Sequence, residues 1–316
     1  MRQRIENLLW YADLGSVKGE IVPLRGGHLH RMWASETEHG RYAVKLLNPE
    51  VMSRPEAMGN FIRSEKIARM AAERIPACTA VSVSGCPVVH LDGEWMIFPY
   101  IDGECIPNEE ITAEMAHSIG QILGRLHSIT ELPGDTVETF ACHNWSKYDC
   151  SMISADCSTL RRWDGCRARK KYGRNVLSHR DLEPKNVMWQ GDSPVLIDWE
   201  AAGEINAAED LFTTALCFSK SSQGISEERF TAFLHGYFTE ADPIRFRGTD
   251  WYEVSGCFYD LTDWLAYNLE RTDKAESHEE RQTGREQAAW AADELKRFDE
   301  IRESAAAWAQ RFTDQA

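Results

Sequence analysis

Val176–Glu200 reads VLSHRDLEPKNVMWQGDSPVLIDWE. The stretch predicts a strand, a polar loop, a second apolar run and an acidic turn. His179-Arg180-Asp181-Leu182 forms the loop, Asn186 stands five positions after Asp181, and Leu196-Ile197 runs apolar into Asp198-Trp199-Glu200. Asp181, Asn186 and Asp198 therefore fall where strands give way to loops. Asn and Asp offer the hard oxygen atoms that Mg²⁺ prefers. Taken singly, these residues are an ordinary polar surface turn. The information lies in all the parts occurring together and in order.

The arrangement suits a particular chemistry. H-R-D-L with an asparagine five residues past the aspartate fits the catalytic-loop pattern of phosphoryl-transfer enzymes. Asp181 is placed to accept the proton of a substrate hydroxyl, and Asn186 and Asp198 to hold Mg²⁺. The transition state spreads negative charge over oxygens, so the protein mainly positions the partners and stabilises that charge.

Composition sets the outer bounds. At 316 residues the chain can bury one large core or two modest ones, and 43% hydrophobic with 27% charged residues is ordinary for a globular protein. A formal net charge of −15 excludes the basic footprint of non-specific nucleic-acid binding. It favours encounter with cationic ligands where the acids line a cleft, and otherwise only solubility. The nine cysteines form no C-x-x-C and are expected as reduced, packed thiols. Met1–Gly15 carries no apolar leader core, and no run approaches the roughly 18 apolar residues of a membrane helix. The expected location is the cytoplasm, with no membrane partner.

Upstream, residues 1–14 predict a short helix. Strand signals follow at Glu20–Leu24, Arg31–Ala34 and Tyr42–Leu47. Gly26-Gly27 lies in the first turn between them, and its backbone N–H groups suit a phosphate as well as they suit a plain hairpin. Lys45, in Ala43-Val44-Lys45, matches the strand lysine that pairs with nucleotide phosphates. Phe61–Arg74 predicts a helix containing Glu65, a carboxylate available to Lys45 or to Arg69 four residues on. Val81–Ser84, Val88–Leu91 and Glu94–Ile101 read as further strands. The carbonyl of Pro99 and the N–H of Ile101 would then meet a purine edge, adenine or guanine. The expected organisation is a nucleotide-binding lobe at 1–98 (five strands and one main helix), a hinge at 99–103 and a mainly helical lobe at 104–316.

Helical spacing recurs at Ala113–Ile129, with His127 read as a packed, hydrogen-bonded histidine. Residues 151–175 are basic and helix-like. Ser226–Phe238 and Asp250–Thr272 predict helices, the latter with Val254, Cys257, Phe258, Leu261, Leu265 and Leu269 on one apolar face. Residues 273–287 read as a mobile polar loop, and 286–312 as an amphipathic helix.

Taken together, Lys45, Glu65, the Phe98–Asp102 hinge, Leu126-His127, His179/Asp181/Asn186, Asp198-Trp199-Glu200 and Asp210-Leu211 resemble the aminoglycoside phosphotransferase/choline kinase family. The resemblance runs from about residue 15 to 270 and is sharpest over 176–211. It implies an α+β, bilobal, protein-kinase-like fold with a small antiparallel-sheet N-lobe and a large helical C-lobe. It also implies ATP or GTP as donor, Mg²⁺ as cofactor, Asp181 as base and Asn186 and Asp198 as metal ligands. Lys45 would orient phosphates, Glu65 would hold Lys45, and Asp210 would buttress the catalytic loop. Two departures stand out: Arg180 occupies a position where small-molecule kinases usually carry Gly, and His28-Leu29-His30 replaces a Ser/Thr-Asn pair.

A protein kinase is the first alternative. Asp198-Trp199-Glu200 replaces D-F-G, Glu183 stands where a Ser/Thr kinase carries Lys, and only 11 residues separate Asp198 from Asp210. That leaves no room for an activation segment ending in A-P-E. A silent nucleotide-binding pseudokinase is the second, and the filled catalytic positions count against it. The acceptor is therefore expected to be a small-molecule hydroxyl. Asp149, Glu204, Asp260, Asp263 and Glu270 would suit an aminoglycoside-like polyamine. Tyr267, with Trp145, Tyr148, Trp251, Tyr252, Tyr259 and Trp264, would suit a choline-like quaternary ammonium. A neutral sugar or amino alcohol stays open.

Overall fold

The computed structural model describes residues 1–24, 30–131, 142–151, 153, 157–164 and 175–314, apart from the side chains of Cys157, Ile244, Tyr259 and Asp260. The chain divides into two compact units. One comprises Met1–Cys105 with Lys185–Ala202, the other Ile106–Pro184 with Gly203–Ala316.

In the first unit, strands β1 (Val17–Leu24), β2 (Arg31–Thr37), β3 (Arg41–Leu46), β4 (Val89–His90) and β5 (Glu94–Pro99) form one sheet in the order β1-β2-β3-β5-β4. All its pairings are antiparallel. Helix α1 (Arg2–Tyr11) carries Ile5, Leu8 and Leu9 at helical spacing, and these fully buried side chains pack with Trp33, Val44, Trp95 and Ile97. A short helix, α2 (Pro49–Met52), is capped by the Asn48 side chain, which accepts the Glu50 N–H at 3.0 Å. Helix α3 (Ala57–Ala72) contributes Phe61 to a second cluster with Leu47, Ala80, Val88 and Met96. The expected strand at Val81–Ser84 does not form. Ser84 (φ 52°) and Gly85 (φ 83°) turn the chain, leaving only an isolated bridge between Val83 and Cys86.

Lys185–Ala202 belongs to this unit because its backbone is bonded there. Strands β8 (Val187–Gln190) and β9 (Ser193–Leu196) make a hairpin, and β6 (Glu104–Cys105) pairs with β8. The Leu196 N–H donates to the Pro76 carbonyl at 2.9 Å, and its own carbonyl accepts the Cys78 N–H at 2.8 Å.

The second unit is mainly helical. It contains α4 (Ala113–His127), α5 (Cys157–Trp163), α6 (Ala207–Ser219), α7 (Glu227–Glu240), α8 (Trp251–Val254), α9 (Tyr259–Lys274) and α10 (His278–Asp314). Strand β7 (Asn175–Ser178) pairs antiparallel with β10 (Gly203–Asn206). Polar side chains fix the helix starts: Thr112 accepts the Met115 N–H, Asn206 those of Ala208 and Glu209, and Ser226 that of Arg229. Fully buried Phe212, Phe230, Phe233, Tyr237 and Trp251 fill the core between helices.

Helices α4 and α7 meet through glycines. A Cβ on Gly120 would lie 2.1 Å from the Phe233 carbonyl oxygen, and one on Gly236 would lie 2.0 Å from that of His117. Only a residue without a side chain lets the two backbones approach this closely.

Several expectations change here. The predicted helix at Asp250–Thr272 is two helices, α8 and α9, separated at residues 255–258. Residues 278–287, read as part of a mobile loop, belong to α10. Ser277 caps that helix by accepting the Glu280 N–H at 3.1 Å, and Glu279 and Glu280 occupy its first turn. Cys142 is disulfide-bonded, against the expectation of reduced thiols throughout, while Cys78, Cys86, Cys105, Cys150, Cys217 and Cys257 form no disulfide. Of the basic run, Arg162 pairs with Asp299 at 2.5 Å, and residues 165–174 lie outside the described residues. Among the described residues, no helix is long and apolar enough to cross a membrane.

Gly236→Ala is expected to lower the unfolding free energy by about 2 kcal/mol or more, because backbone must move to admit the methyl group. Urea unfolding checks this, and a loss under ~0.5 kcal/mol would contradict the close contact.

Candidate active site

The β8–β9 hairpin brings Asn186 and Asp198 together. Val187 pairs with Leu196 at its open end, and just beyond, the Ile197 N–H donates to the Asn186 carbonyl at 3.0 Å. Asp198 comes next, in the left-handed region (φ 63°, ψ 61°) that non-glycine residues seldom adopt. Such conformations cluster where function holds the backbone against its preference.

Lys45 reaches this turn from the middle of the sheet, where it pairs with Met32 and Met96. Its side chain is 8% exposed, and its ammonium lies 3.0 Å from Asp198 Oδ1 and in direct contact with Glu200 Oε1. Burial would lower the Lys45 pKa, but the Glu200 and Asp198 carboxylates more than offset it and leave it raised. Burial pushes the Glu200 carboxyl upward, yet Lys45 and then His30 hold it at about 2. Glu200 Oε2 lies 3.2 Å from His30 Nε2.

The expected Lys45–Glu65 pair is absent. Glu65 is buried, accepts the Ala80 N–H and lies 3.9 Å from Arg69 Nε. Burial raises its pKa to about 7, against the opposing pull of the Ala80 N–H, Arg69 and Lys45. A carboxyl so poorly solvated is held by a backbone donor, and the lysine takes the better-charged Glu200. Gly26 and Gly27 lie outside the described residues. Further along β5, the Cys78 thiol points to the Pro99 carbonyl at 3.9 Å and the Tyr100 N–H is bonded to Arg41. The Ile101 N–H makes no hydrogen bond among the described residues, which leaves one backbone donor available beside the Pro99 carbonyl.

Asp181 belongs to the second unit, four residues of chain before Lys185. His179 is fully buried, and Arg180 adopts φ 62° while its N–H donates to Ser178 Oγ at 2.9 Å. A left-handed residue here gives a steric reason why glycine suits this position. Asp210 is engaged within the helical unit. Its carboxylate pairs with His127 Nε2 at 2.8 Å, and His127 Nδ1 meets the Tyr237 hydroxyl at 2.9 Å. These buried groups satisfy one another across α6, α4 and α7.

Some of the acceptor-side candidates do converge. Burial and the Glu270 and Asp263 carboxylates raise the Tyr148 pKa, so these groups share one neighbourhood. Asp263 also lies 3.4 Å from His143 Nε2, Trp145 packs between His143 and Tyr148, and Tyr267 stacks on Trp264. Glu204 lies on β10, opposite Leu177, and the Asp260 side chain lies outside the described set. Residues that sequence reasoning gave no role are Glu200, His30 and His143. Glu200 was within reach, since it stands two positions after Asp198 and is the remaining carboxylate of that turn.

Asn186 and Asp198 supply an amide and a carboxylate at one hairpin end, hard oxygen donors that fit Mg²⁺. Among the described residues no three His, Cys, Asp or Glu side chains form a metal cage. Two protein ligands suit a cation whose remaining ligands come from water and phosphates.

Glu65 generates a pH prediction. Its folded pKa of about 7 exceeds the unfolded value of 4.5, so the folded state holds the extra proton between them. The associated stability is complete below pH 4.5 and is lost as pH rises through about 7. Glu65→Gln is expected to flatten that decline and to exceed wild type in stability at about pH 8, by on the order of 3 kcal/mol. Urea unfolding at several pH values checks it, and an unchanged pH slope would contradict it.

The profile of the phosphotransferase enzyme family matches residues 20–252. No curated protein sequence matches significantly. The chain is similar in structure to a choline/ethanolamine kinase family protein from Mesorhizobium loti, at TM-score 0.67 and 16% identity, covering 98% of each chain. It is also similar to a choline kinase from Streptococcus pneumoniae, at TM-score 0.62 and 16% identity over 93% of this chain and 99% of that one. A spectinomycin phosphotransferase, solved with ADP and spectinomycin, aligns at TM-score 0.62 and 13% identity over 93% of this chain and 98% of that one. The fold is protein-kinase-like, an antiparallel-sheet part followed by a helical part. With that profile spanning most of the chain, this protein belongs to the phosphotransferase enzyme family and is a phosphotransferase with an alcohol group as acceptor.

Proposed function

We propose that this phosphotransferase moves the γ-phosphate of ATP to a hydroxyl of a small amine-bearing molecule, aminoglycoside-like or choline-like, with Mg²⁺. The observation that carries the reading is the buried Lys45 ammonium 3.0 Å from Asp198, at the hairpin end that also holds Asn186. A buried cation beside two hard oxygen ligands suits a polyphosphate. The adenine edge would meet the Pro99 carbonyl and the Ile101 N–H. Similar solved structures hold ADP or an ATP analogue, which favours ATP over GTP as donor.

Asp181 accepts the proton of the acceptor hydroxyl as the new P–O bond forms. Lys45 neutralises phosphate oxygens, and Asn186 and Asp198 hold the cation. Bound there, Mg²⁺ would offset charge on the transferring phosphoryl group. The Tyr148, Asp263 and Glu270 neighbourhood, with Tyr267 stacked on Trp264, supplies carboxylates and aromatic faces suited to an ammonium group. Choline, ethanolamine and spectinomycin, named for the similar structures, are all amine-bearing alcohols.

ADP release should be followed with Mg²⁺-ATP, and in parallel with GTP, against aminoglycosides, choline-like amines, amino alcohols and sugars. One amine-bearing class is expected to give turnover that Asp181→Asn lowers by roughly 10²–10⁴-fold while ATP binding is kept. Wild-type turnover in Asp181→Asn would remove the base assignment. Turnover confined to neutral sugars would remove the amine reading.

A further inference from the structure

We propose that Glu200, not Glu65, orients Lys45 for the nucleotide phosphates, and that His30 is the positioning residue that locks Glu200 in place. The inference rests on the reading of Lys45 as a phosphate-binding residue.

Glu200 divides its two oxygens. Oε1 contacts the Lys45 ammonium, and Oε2 lies 3.2 Å from His30 Nε2. The backbone of α2's cap decides what His30 does. The Asn48 N–H donates to His30 Nδ1 at 2.9 Å, so Nδ1 is the acceptor and the ring proton resides on Nε2. His30 must therefore donate to Glu200. The ring is 7% exposed and meets Phe61 of α3 edge-on, with centroids 5.7 Å apart. Neither tautomer exchange nor rotation is open to it without breaking the Asn48 bond or the Phe61 contact. Glu200 is thus held from the side opposite Lys45, at a fixed distance from the lysine that Asp198 also contacts.

Glu65 is not equipped for the same task. Its carboxyl is engaged by the Ala80 N–H and no ion pair joins it to Lys45. The burial that raises its pKa also makes it a poor counter-charge. Among the described residues, the carboxylates within ion-pair distance of Lys45 are Asp198 and Glu200. Asp198 is the proposed metal ligand, which leaves Glu200 to position the ammonium.

The test compares binding of Mg²⁺-ATP and of adenosine by wild type and four variants: Glu200→Gln, Glu65→Gln, His30→Leu and His30→Gln. Adenosine lacks the phosphates that Lys45 addresses, so its affinity reports the integrity of the purine site. Glu200→Gln and His30→Leu are expected to weaken ATP binding by roughly tenfold or more while adenosine affinity changes less than about threefold. Glu65→Gln should weaken ATP binding by less than about threefold. His30→Gln keeps one donor and one acceptor and should recover most of the loss seen in His30→Leu. The inference is overturned if Glu65→Gln costs as much ATP affinity as Glu200→Gln. It is equally overturned if His30→Leu leaves ATP binding intact, or if His30→Gln recovers nothing. Wild type that binds adenosine and ATP equally would overturn the phosphate-site reading itself, and this inference with it. Loss of adenosine binding in His30→Leu would mark His30 as merely structural and also sink the proposal.

Discussion

A buried ammonium has to be neutralised, and the first unit is organised around that requirement. Lys45 stands in the middle of an antiparallel sheet, where a lone charge would be strongly disfavoured. Its carboxylates come from the turn after β9, a segment far away in sequence. The hairpin that presents them is in turn anchored by β6 and by the backbone of residues 76–78. One ion pair thus depends on a chain of backbone bonds. Breaking a buried pair of this kind leaves an uncompensated charge, so the sheet, the hairpin and the acidic turn must form together.

Under the proposed function the same turn serves the chemistry. Asp198 contacts Lys45 while Asn186 lies across the open end of the hairpin, and left-handed Asp198 marks a backbone held against its preference. The loop ahead of it, at residues 179–182, contains a second left-handed residue, Arg180. In the second unit, the Tyr237–His127–Asp210 series and the glycine contact between α4 and α7 tie the helices to one another. A phosphotransferase needs positioned oxygens and fixed cations more than reactive side chains, and rigid elements supply both.

The sequence displayed those features whose chemistry allows few residue types. The placement of Asp181, Asn186 and Asp198 at strand ends was legible because an apolar strand on either side fixes where each must fall, while their roles belong to the proposed function. The five-stranded sheet was legible from alternating apolar runs and turns. The partner of Lys45 was not, because Glu65 and Glu200 are equivalent on paper. The choice between them is made by the Ala80 N–H, which reaches Glu65 only once the chain has folded. The start of α10 was missed for a different reason. Residues 278–287 carry no continuous apolar stripe, and the signal there is a serine cap with acids in the first turn. Val81–Ser84 looked like a strand by composition, yet a turn at Ser84-Gly85 governs it.

The most direct measurement of the central claim needs no guess about the acceptor. The protein would be incubated with Mg²⁺ and ATP carrying ¹⁸O in its γ-phosphate, together with a mixed extract of small metabolites. Mass spectrometry then searches for a compound that gains the labelled phosphoryl group. The account predicts such a product, an alcohol esterified by labelled phosphate, and its absence when Asp181→Asn replaces wild type. A labelled product formed equally by both proteins, or label appearing only in inorganic phosphate, would contradict transfer to an alcohol through Asp181.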